Sequence, residues 1–290
     1  MIAEAEIRRR ARAWSVDPMV VELDYILGCF IQTWFRQPAS AQTVFKGGTC
    51  LRKCYFPDYR FSEDVDLSAR GPLDPRLVAD ALEAVSQHLE RDMGLNLRAR
   101  PTRIQTVGED PSTTYLEARL YFTGPLRRTG WPQAIRIDIV GGEWLAYQPV
   151  ARELIHPYSD AGALGLPGLS IPCYDLREVL LEKLRGLAGQ RRYAIARDLY
   201  DVHHLLQRGG LDVQQVLPFA RDKFAARNVA LSRTVLEALR AREDEYRSDW
   251  SRNVEKLVPG EGRTDFEDAW TSTVRAMSRL VTPRPAGNNS

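Results

Sequence analysis

Cysteine is scarce in this chain of 290 residues, and neither a strong excess of one charge nor a long apolar run is present. The four cysteines contain no CxxC pair, so no disulfide framework is indicated and reduced thiols in a cytoplasmic protein are expected. A zinc site on Cys50 and Cys54 would need partners that the spacing does not supply. Disulfide-rich secreted domains are therefore excluded as a class.

Two further absences narrow the function. No run of about eighteen apolar residues occurs, so no membrane span is expected, and the opening MIAEAEIRRR lacks the apolar stretch of a secretory signal. The net charge is only +2, which excludes a generally cationic nucleic-acid-binding protein. Any contact with RNA must come from local basic patches.

The most informative segment that is present reads FKGGTCLRKCYFPDYRFSEDVDLS, from Phe45 to Ser68. If DVDLS is a strand, Asp64 and Asp66 lie on one of its faces and Val65 and Leu67 on the other. Paired carboxylates at such a place are costly unless they bind a hard cation, and Mg²⁺ is typically held by one or two carboxylates plus substrate phosphates. The spacing predicts a Mg²⁺ or Mn²⁺ site.

A glycine turn precedes these carboxylates. Gly47, Gly48 and Thr49 offer backbone N–H groups at a helix start and allow a phosphate to approach closely. A phosphate-binding turn beside a divalent-metal site indicates nucleotidyl or phosphoryl transfer.

The pattern along the chain predicts an α+β protein. Mixed helices and strands form a catalytic domain at 1–160, helices dominate a C-terminal domain at 161–281, and 282–290 form a disordered tail. The stretch Val150–Pro172, rich in proline, glycine and small residues, is predicted to be a linker with a strand near Leu169–Pro172. A single helix is predicted over Leu231–Tyr246.

A third carboxylate lies in the alternating strand Ile135–Ile139. Two interpretations of Asp138 stay open: it completes a two-metal clamp with the DVD pair, or it forms a surface ion pair with Arg136 on a half-exposed strand.

The helical half carries a second cluster, in which Asp198 and Asp201 are three residues apart and share a helix face. Lys183 is a candidate for contacting the β- or γ-phosphate, where it would offset the charge on the leaving pyrophosphate. The alternative is that Lys183, Arg197 and Asp201 are solvated charges in ordinary helical pairs, each worth about 0.2–0.5 kcal/mol.

Four basic groups are candidates for lining an RNA groove, although most such runs are solvated faces: Arg8–Arg10, Arg98–Arg103, Arg127-Arg128 and Arg191-Arg192. Three aromatic residues that flank the Asp138 strand, Trp131, Trp144 and Tyr147, are candidates for stacking on a base, but core packing is the commoner use of each.

Four blocks together resemble a known family. FKGGT, RFSEDVDLS, EKLRGL and RDLYDVHHLL follow one another in the order seen in AbiEii-like (MenT-type) nucleotidyltransferases, which are toxins of toxin–antitoxin systems within the DNA polymerase beta-like nucleotidyltransferase superfamily. The resemblance spans about Val21 to Leu206.

The resemblance implies a nucleotidyltransferase-like mixed-sheet domain, a helical C-terminal domain and an active site between them. It implies transfer of a nucleotide from an NTP to an acceptor such as the tRNA 3′ end, with a block of translation and an AbiEi-like antitoxin as partner. It assigns the metal to Asp64 and Asp66, and catalytic roles to these two residues with Lys183 and Asp198. The full set of candidates adds Asp138 for the metal, Gly47, Gly48, Thr49, Lys183 and Arg185 for the nucleotide, and Ser62, Arg197 and Asp201 as supporting residues.

Three alternatives differ in the acceptor or the chemistry. The same fold could modify a hydroxyl of a protein or of an aminoglycoside-like small molecule. A DxD glycosyltransferase would explain Asp64 and Asp66 but would leave the glycine turn and the Lys183 block unused. A non-enzymatic RNA- or protein-binding module with a degenerate transferase domain is disfavoured by the intact carboxylates.

Overall fold

The structure is a computed structural model that describes residues 1–107, 115–128, 130–166, 168–191, 193–260 and 263–282. The chain is mixed α+β, as predicted, and forms two compact units. Unit 1 contains Met1–Glu143, Pro149–Tyr174 and a short segment that begins at Leu257. Unit 2 contains Trp144–Gln148, Asp175–Lys256 and the chain from Arg263 onward. Apart from Thr282, the predicted disordered tail lies outside the described residues.

A mixed sheet organises unit 1. Among the described residues it has seven strands in the order β3-β4-β5-β2-β1-β7-β6. The central strands β2 and β5 are parallel, β1 and β7 are parallel, and the other neighbours are antiparallel. The strands are β1 Thr43–Lys46, β2 Asp64–Ala69, β3 Arg103–Val107, β4 Tyr115–Phe122, β5 Gln133–Gly141, β6 Val150–Glu153 and β7 Ser170–Cys173.

Strict alternation gives the central strands one apolar face. Ile135, Ile137 and Ile139 of β5 are buried, as are Val65 and Leu67 of β2. These side chains belong to the core that also contains residues of the helices α1 Glu4–Trp14, α2 Pro18–Trp34 and α4 Pro75–Met93. The period of two therefore leaves the polar residues of the same strands together on the opposite face.

Local sequence sets the limits of these helices. The side chain of Asp17 accepts a hydrogen bond from the backbone N–H of Met19, and Pro18 occupies the first turn of α2. Helix α4 begins in the same way at Asp74 and Pro75. The glycine turn opens the short helix α3, Gly47–Cys50, which continues as a π-helical turn over Leu51–Tyr55.

The prediction of a linker over Val150–Pro172 is wrong. Strands β6 and β7 pair there, with Val150 opposite Cys173, and β7 confirms the strand expected near Leu169–Pro172. His156 and Tyr158 are buried, and the Tyr158 hydroxyl donates to the carboxylate of Asp24 at 2.8 Å. The segment shows no periodicity because turns and polar contacts, rather than one regular face, hold it in the core.

Helices dominate unit 2. They are α5 Leu176–Arg185, α6 Arg197–Gln207, α7 Leu217–Ala225, α8 Arg233–Arg240, α9 Glu243–Asn253 and α10 Phe266–Val281. The single helix predicted over Leu231–Tyr246 is wrong, because the chain leaves helical geometry at Arg242. Three acidic residues then begin α9, where they favour a new helix N-terminus.

No helix within the described ranges is both long enough and apolar enough to cross a membrane.

Candidate functional site

The carboxylates of the DVD segment lie at the centre of the sheet. Asp66 of β2 is directly beside Asp138 of the parallel strand β5, and Glu117 of β4 is beside Asp138 on the other side. Neighbouring strands lie about 4.8 Å apart, so these side chains form one row on the polar face. Asp64 lies on the same face, two residues before Asp66.

The electrostatics of Asp138 reflect this crowding of negative charge. Partial burial and the charge of Asp66, with a smaller effect from Asp64, raise the pKa of Asp138 to about 6, against a hydrogen bond from Tyr115 that lowers it. Arg136 forms its ion pairs with Asp64, at 2.7 Å, and with Glu63, at 3.7 Å. The structure thus brings Asp138 together with Asp64 and Asp66, and we call these three residues the acidic cluster. The cation of Arg136 is directed to β2.

Gly47 makes room for this cluster. Its φ of +76° is left-handed, and a Cβ at this position would overlap the carboxylate of Asp66. A residue with a side chain would therefore be strained in its backbone and would displace Asp66.

The next two residues of the turn are equally constrained. A Cβ on Gly48 would lie 2.6 Å from Nη2 of Arg60 and 2.9 Å from Oγ of Ser62. The hydroxyl of buried Thr49 donates to the backbone carbonyl of Asp64. Thr49 thus fixes the start of β2 against the glycine turn, and Ser62 packs against that turn.

A row of arginines runs beside the acidic row. Arg103 of β3 pairs in register with Arg119 of β4, Arg119 with Arg136 of β5, and Arg136 with Asp64 of β2. All three arginines are exposed. We call Arg103, Arg119 and Arg136 the arginine row. Its cations extend from the carboxylates to the edge strand β3, a charge arrangement suited to a polyanion.

Unit 2 holds the second predicted cluster. The Lys183 ammonium contacts the carboxylates of Asp198 at 2.8 Å and Asp201 at 2.7 Å. Arg191 contacts the other oxygen of Asp198 at 3.0 Å. Asp198 and Asp201 are buried and Lys183 is only 13% exposed. The alternative of solvated helical charges is therefore wrong for Lys183 and Asp201.

Two predicted residues of unit 2 occupy other surroundings. Arg185 is buried, lies 3.7 Å from a carboxylate oxygen of Glu182 and donates to the backbone carbonyl of Lys223 at 3.4 Å. Arg197 is half-buried at the start of α6. Nucleotide contact by Arg185 and a supporting role for Arg197 stay predictions.

Sequence reasoning missed the arginine row because register, not local pattern, assembles it from three strands. It also misjudged Trp131, which is 82% exposed rather than packed in the core. The guanidinium of Arg100 lies 3.5 Å from the Trp131 ring centroid. The only signal in the sequence was the proximity of Trp131 to the basic groups.

The donor set of the acidic cluster fits a hard divalent cation. Asp64, Asp66 and Asp138 offer oxygen ligands only, which suit Mg²⁺ and Mn²⁺. The raised pKa of Asp138 has the sign expected when like charges meet without a neutralising cation. A bound cation would relieve this repulsion.

A central acidic cluster on a mixed sheet, next to a glycine turn, is the arrangement expected of a nucleotidyltransferase. The fold is similar to that of MenT4, a nucleotidyltransferase toxin from Mycobacterium tuberculosis H37Rv, with a TM-score of 0.54 and 20% identity over 97% of this chain and 100% of that chain. It is also similar to JHP933 from Helicobacter pylori, with a TM-score of 0.53 and 16% identity over 91% and 93% of the two chains. Comparison with curated proteins gives no match.

The particular family follows from the sequence profile of the nucleotidyl transferase AbiEii toxins of type IV toxin–antitoxin systems, which matches residues 30–272. The chain belongs to this family and is a nucleotidyltransferase, so the resemblance seen in its motifs is confirmed. Nucleotidyltransferases of this kind generally use a divalent metal ion. Membership of the family implies an NTP substrate and an antitoxin partner.

Proposed function

We propose that this protein transfers a nucleoside monophosphate from an NTP to RNA, with the 3′ end of tRNA as the acceptor, in a reaction that depends on Mg²⁺ or Mn²⁺. It acts in the cytoplasm as a toxin that blocks translation, and an AbiEi-like antitoxin opposes it. The observation that carries the proposal is the placement of Asp64, Asp66 and Asp138 on neighbouring parallel strands, beside the left-handed Gly47.

The residues of unit 1 have distinct roles in the proposed reaction. Asp64, Asp66 and Asp138 would hold the divalent metal, which supplies charge neutralisation at the phosphates and lowers the pKa of the attacking hydroxyl. Gly47 and Gly48 keep the turn free of side chains so that phosphate oxygens can approach backbone N–H groups. Thr49 holds this turn against β2 through its hydrogen bond to Asp64.

The chemical step exchanges a phosphoanhydride bond of the NTP for a phosphodiester bond to the acceptor. A ribose hydroxyl of the acceptor attacks the α-phosphorus in line, a new P–O bond forms, and the bond to the β-phosphate oxygen breaks. Pyrophosphate leaves, and a carboxylate of the acidic cluster takes the proton of the hydroxyl.

The role proposed for Lys183 is to bind the triphosphate. Its two carboxylate partners, Asp198 and Asp201, fix the position of the ammonium group, and Arg191 shares the charge of Asp198. Asp198 and Asp201 are therefore positioning residues in this proposal. A lysine already held by buried partners loses little further freedom when it binds phosphate.

Two observations support RNA as the acceptor. The arginine row is a line of three exposed cations on neighbouring strands, which can contact several phosphates of one polyanion. The exposed Trp131, with Arg100 stacked on it, is an aromatic surface of the kind on which unpaired bases stack. A small-molecule acceptor would not need either feature.

The acceptor class can be tested with NTPs labelled separately at the α- and γ-phosphates. The protein is incubated with Mg²⁺ and with total tRNA, bacterial protein or a small-molecule fraction. We expect α-label in the tRNA fraction, sensitive to removal of the 3′ nucleotide, and γ-label only in pyrophosphate. Transfer of α-label to protein or small molecules alone would overturn the RNA proposal while leaving the nucleotidyltransferase class intact.

A further inference from the structure

Three of the four cysteines converge in unit 1, although they are far apart in the sequence. Cys50 ends α3, Cys54 lies in the π-helical turn that follows, and Cys173 ends β7. Their sulfur atoms all lie within 4.8 Å of one another. Each of the three side chains is buried and none is in a disulfide. We call this group the thiol cluster.

The fold explains the convergence. Cys50 and Cys54 are four residues apart and share one helical face. Strand β1, which leads into α3, runs parallel to β7 with Phe45 opposite Cys173, and the N–H of Tyr174 donates to the carbonyl of Phe45 at 2.9 Å. The pairing of β1 with β7 therefore brings a third thiol, that of Cys173, to Cys50 and Cys54. The sequence spacing did not indicate this third partner.

The sulfur positions are close to those of a metal–thiolate site. A Zn–S bond of about 2.3 Å places sulfurs about 3.8 Å apart in tetrahedral geometry and about 4.0 Å apart in trigonal geometry. The cluster must contract by less than about 1 Å to reach either arrangement. A disulfide would instead bring two sulfurs to about 2.05 Å and leave the third thiol alone.

One cation interacts electrostatically with the cluster, the guanidinium of Arg152 near Cys173. Arg152 lies on β6, beside β7, and its guanidinium is 4.6 Å from the ring centroid of Tyr55. A cation is thus available to offset part of the negative charge that three thiolates bring to a metal.

We propose that Cys50, Cys54 and Cys173 bind one soft d¹⁰ cation, Zn²⁺ or Cu⁺, as a structural site separate from the catalytic carboxylates. Three thiols lose their protons to solvent and form three metal–sulfur bonds. Thiolates select Zn²⁺ and Cu⁺ over Mg²⁺, whereas the oxygen ligands of Asp64 and Asp66 suit Mg²⁺ and Mn²⁺. The bound cation joins β7 to the helix that begins at the glycine turn.

The choice between the two cations depends on coordination number. Within the described part of the chain, the group has three cysteines and no carboxylate or histidine member. Three buried sulfurs suit a three-coordinate Cu⁺, whereas Zn²⁺ would require a fourth ligand such as water. The shared chemistry is thiolate binding, and separate titrations distinguish the two metals.

The test uses the full chain, reduced, freed of metal with a chelator and kept without oxygen. Zn²⁺ and Cu⁺ are added in separate titrations against a competing chelator, with bound metal measured by elemental mass spectrometry and Tm by calorimetry. We expect one cation per chain and a rise in Tm of about 5–10 °C. Cys50→Ser and Cys173→Ser should lose both effects. Cys29→Ser, which changes a buried cysteine outside the cluster, should keep them, and so should Asp66→Asn.

A second readout covers the case in which the serine variants do not fold. Wild-type protein loaded with Co²⁺ should show a sulfur-to-metal charge-transfer band, which carboxylate ligands do not give. Folded wild type that lacks this band and binds neither Zn²⁺ nor Cu⁺ in stoichiometric amount would overturn the proposal. Equal loss of metal in Cys29→Ser would also overturn it.

Discussion

At the scale of single residues, the ionised carboxylate of Asp138 destabilises the folded, metal-free protein, because burial and the charge of Asp66 oppose its ionisation. Its pKa is about 6 in the folded chain and about 3.9 in an unfolded one. The folded state therefore binds the proton more tightly, so the stability contribution of this group is full below about pH 4 and is lost as the pH rises through 6. Metal binding would compensate for this loss.

Asp138→Asn should therefore stabilise the metal-free protein at pH 8 while lowering its activity. We expect a gain of about 1–2 kcal/mol in the free energy of unfolding, after allowance for the solvent exposure of the group. Denaturant unfolding in the presence of a chelator measures this gain. The same two proteins at about pH 3, below the unfolded pKa, are the control, and there the gain should nearly vanish. A variant less stable than wild type at pH 8 would contradict this account.

The pKa of Asp24 is shifted downward, opposite to the shift of Asp138. Burial alone would raise its pKa, but the charges of Arg52 and Lys53, in ion pairs of 2.6 Å and 2.7 Å, outweigh burial and hold the pKa below its usual range. A depressed folded pKa stabilises the protein above the unfolded value, about 3.9, and this contribution is lost as the pH falls further.

We expect Asp24→Asn to lower the free energy of unfolding by about 3–5 kcal/mol at pH 7, because two cations stay buried without their anion. The difference from wild type should narrow as the pH falls below about 4, where unfolded Asp24 takes up a proton. Urea unfolding at several pH values measures both effects. A difference that is constant down to pH 3 would show that the carboxylate charge is not responsible.

At the scale of secondary-structure elements, strand register creates features that no single element possesses. The arginine row exists because β3, β4 and β5 are antiparallel neighbours with Arg103, Arg119 and Arg136 in line. The same register places Asp138 beside Asp66. The acidic cluster and the arginine row are thus parts of one sheet face.

The arginine row predicts how RNA binding responds to charge and salt. Arg103→Ala and Arg119→Ala should each raise the KM for tRNA several-fold and reduce the slope of log affinity against log salt by about 1, because each removes one phosphate contact. The KM for NTP should change little. Steady-state kinetics at several salt concentrations measure both quantities.

Arg91→Ala is the matched control, because Arg91 is an exposed arginine on α4 that pairs with Asp92. It should leave the KM for tRNA and the salt slope unchanged. If all three variants behave alike, the acceptor does not bind along the arginine row.

At the scale of the whole molecule, the sequence was sufficient for the fold class and for the central strands. Asp64–Ala69 and Gln133–Gly141 could be predicted because polar and apolar residues alternate in Asp64–Leu67 and in Ile135–Ile139. The strand at Val150–Glu153 could not, since it lies at a sheet edge and only one of its residues is even half-buried. The break at Arg242 was missed because the helical pattern of α8 runs on without a proline or glycine.

The candidate site likewise contains some features that the sequence predicts and others that it does not. The pairing of Asp64 with Asp66 and the glycine turn follow from local spacing, and the AbiEii family confirms the class of enzyme that they indicated. Three other features depend on contacts between distant segments. These are the position of Asp138 beside Asp66, the contacts of Lys183 with Asp198 and Asp201, and the thiol cluster. Such contacts are set by tertiary packing, which local pattern does not encode.

The most direct test of the catalytic centre is the rate at which α-labelled NTP is incorporated into tRNA by Asp66→Ala, at saturating Mg²⁺ and with circular dichroism and Tm showing an intact fold. We predict a loss of at least about a hundredfold relative to wild type, with Asp92→Ala, an exposed carboxylate on α4, retaining the full rate. Incorporation at the wild-type rate by folded Asp66→Ala would contradict the assignment of the acidic cluster as the catalytic centre.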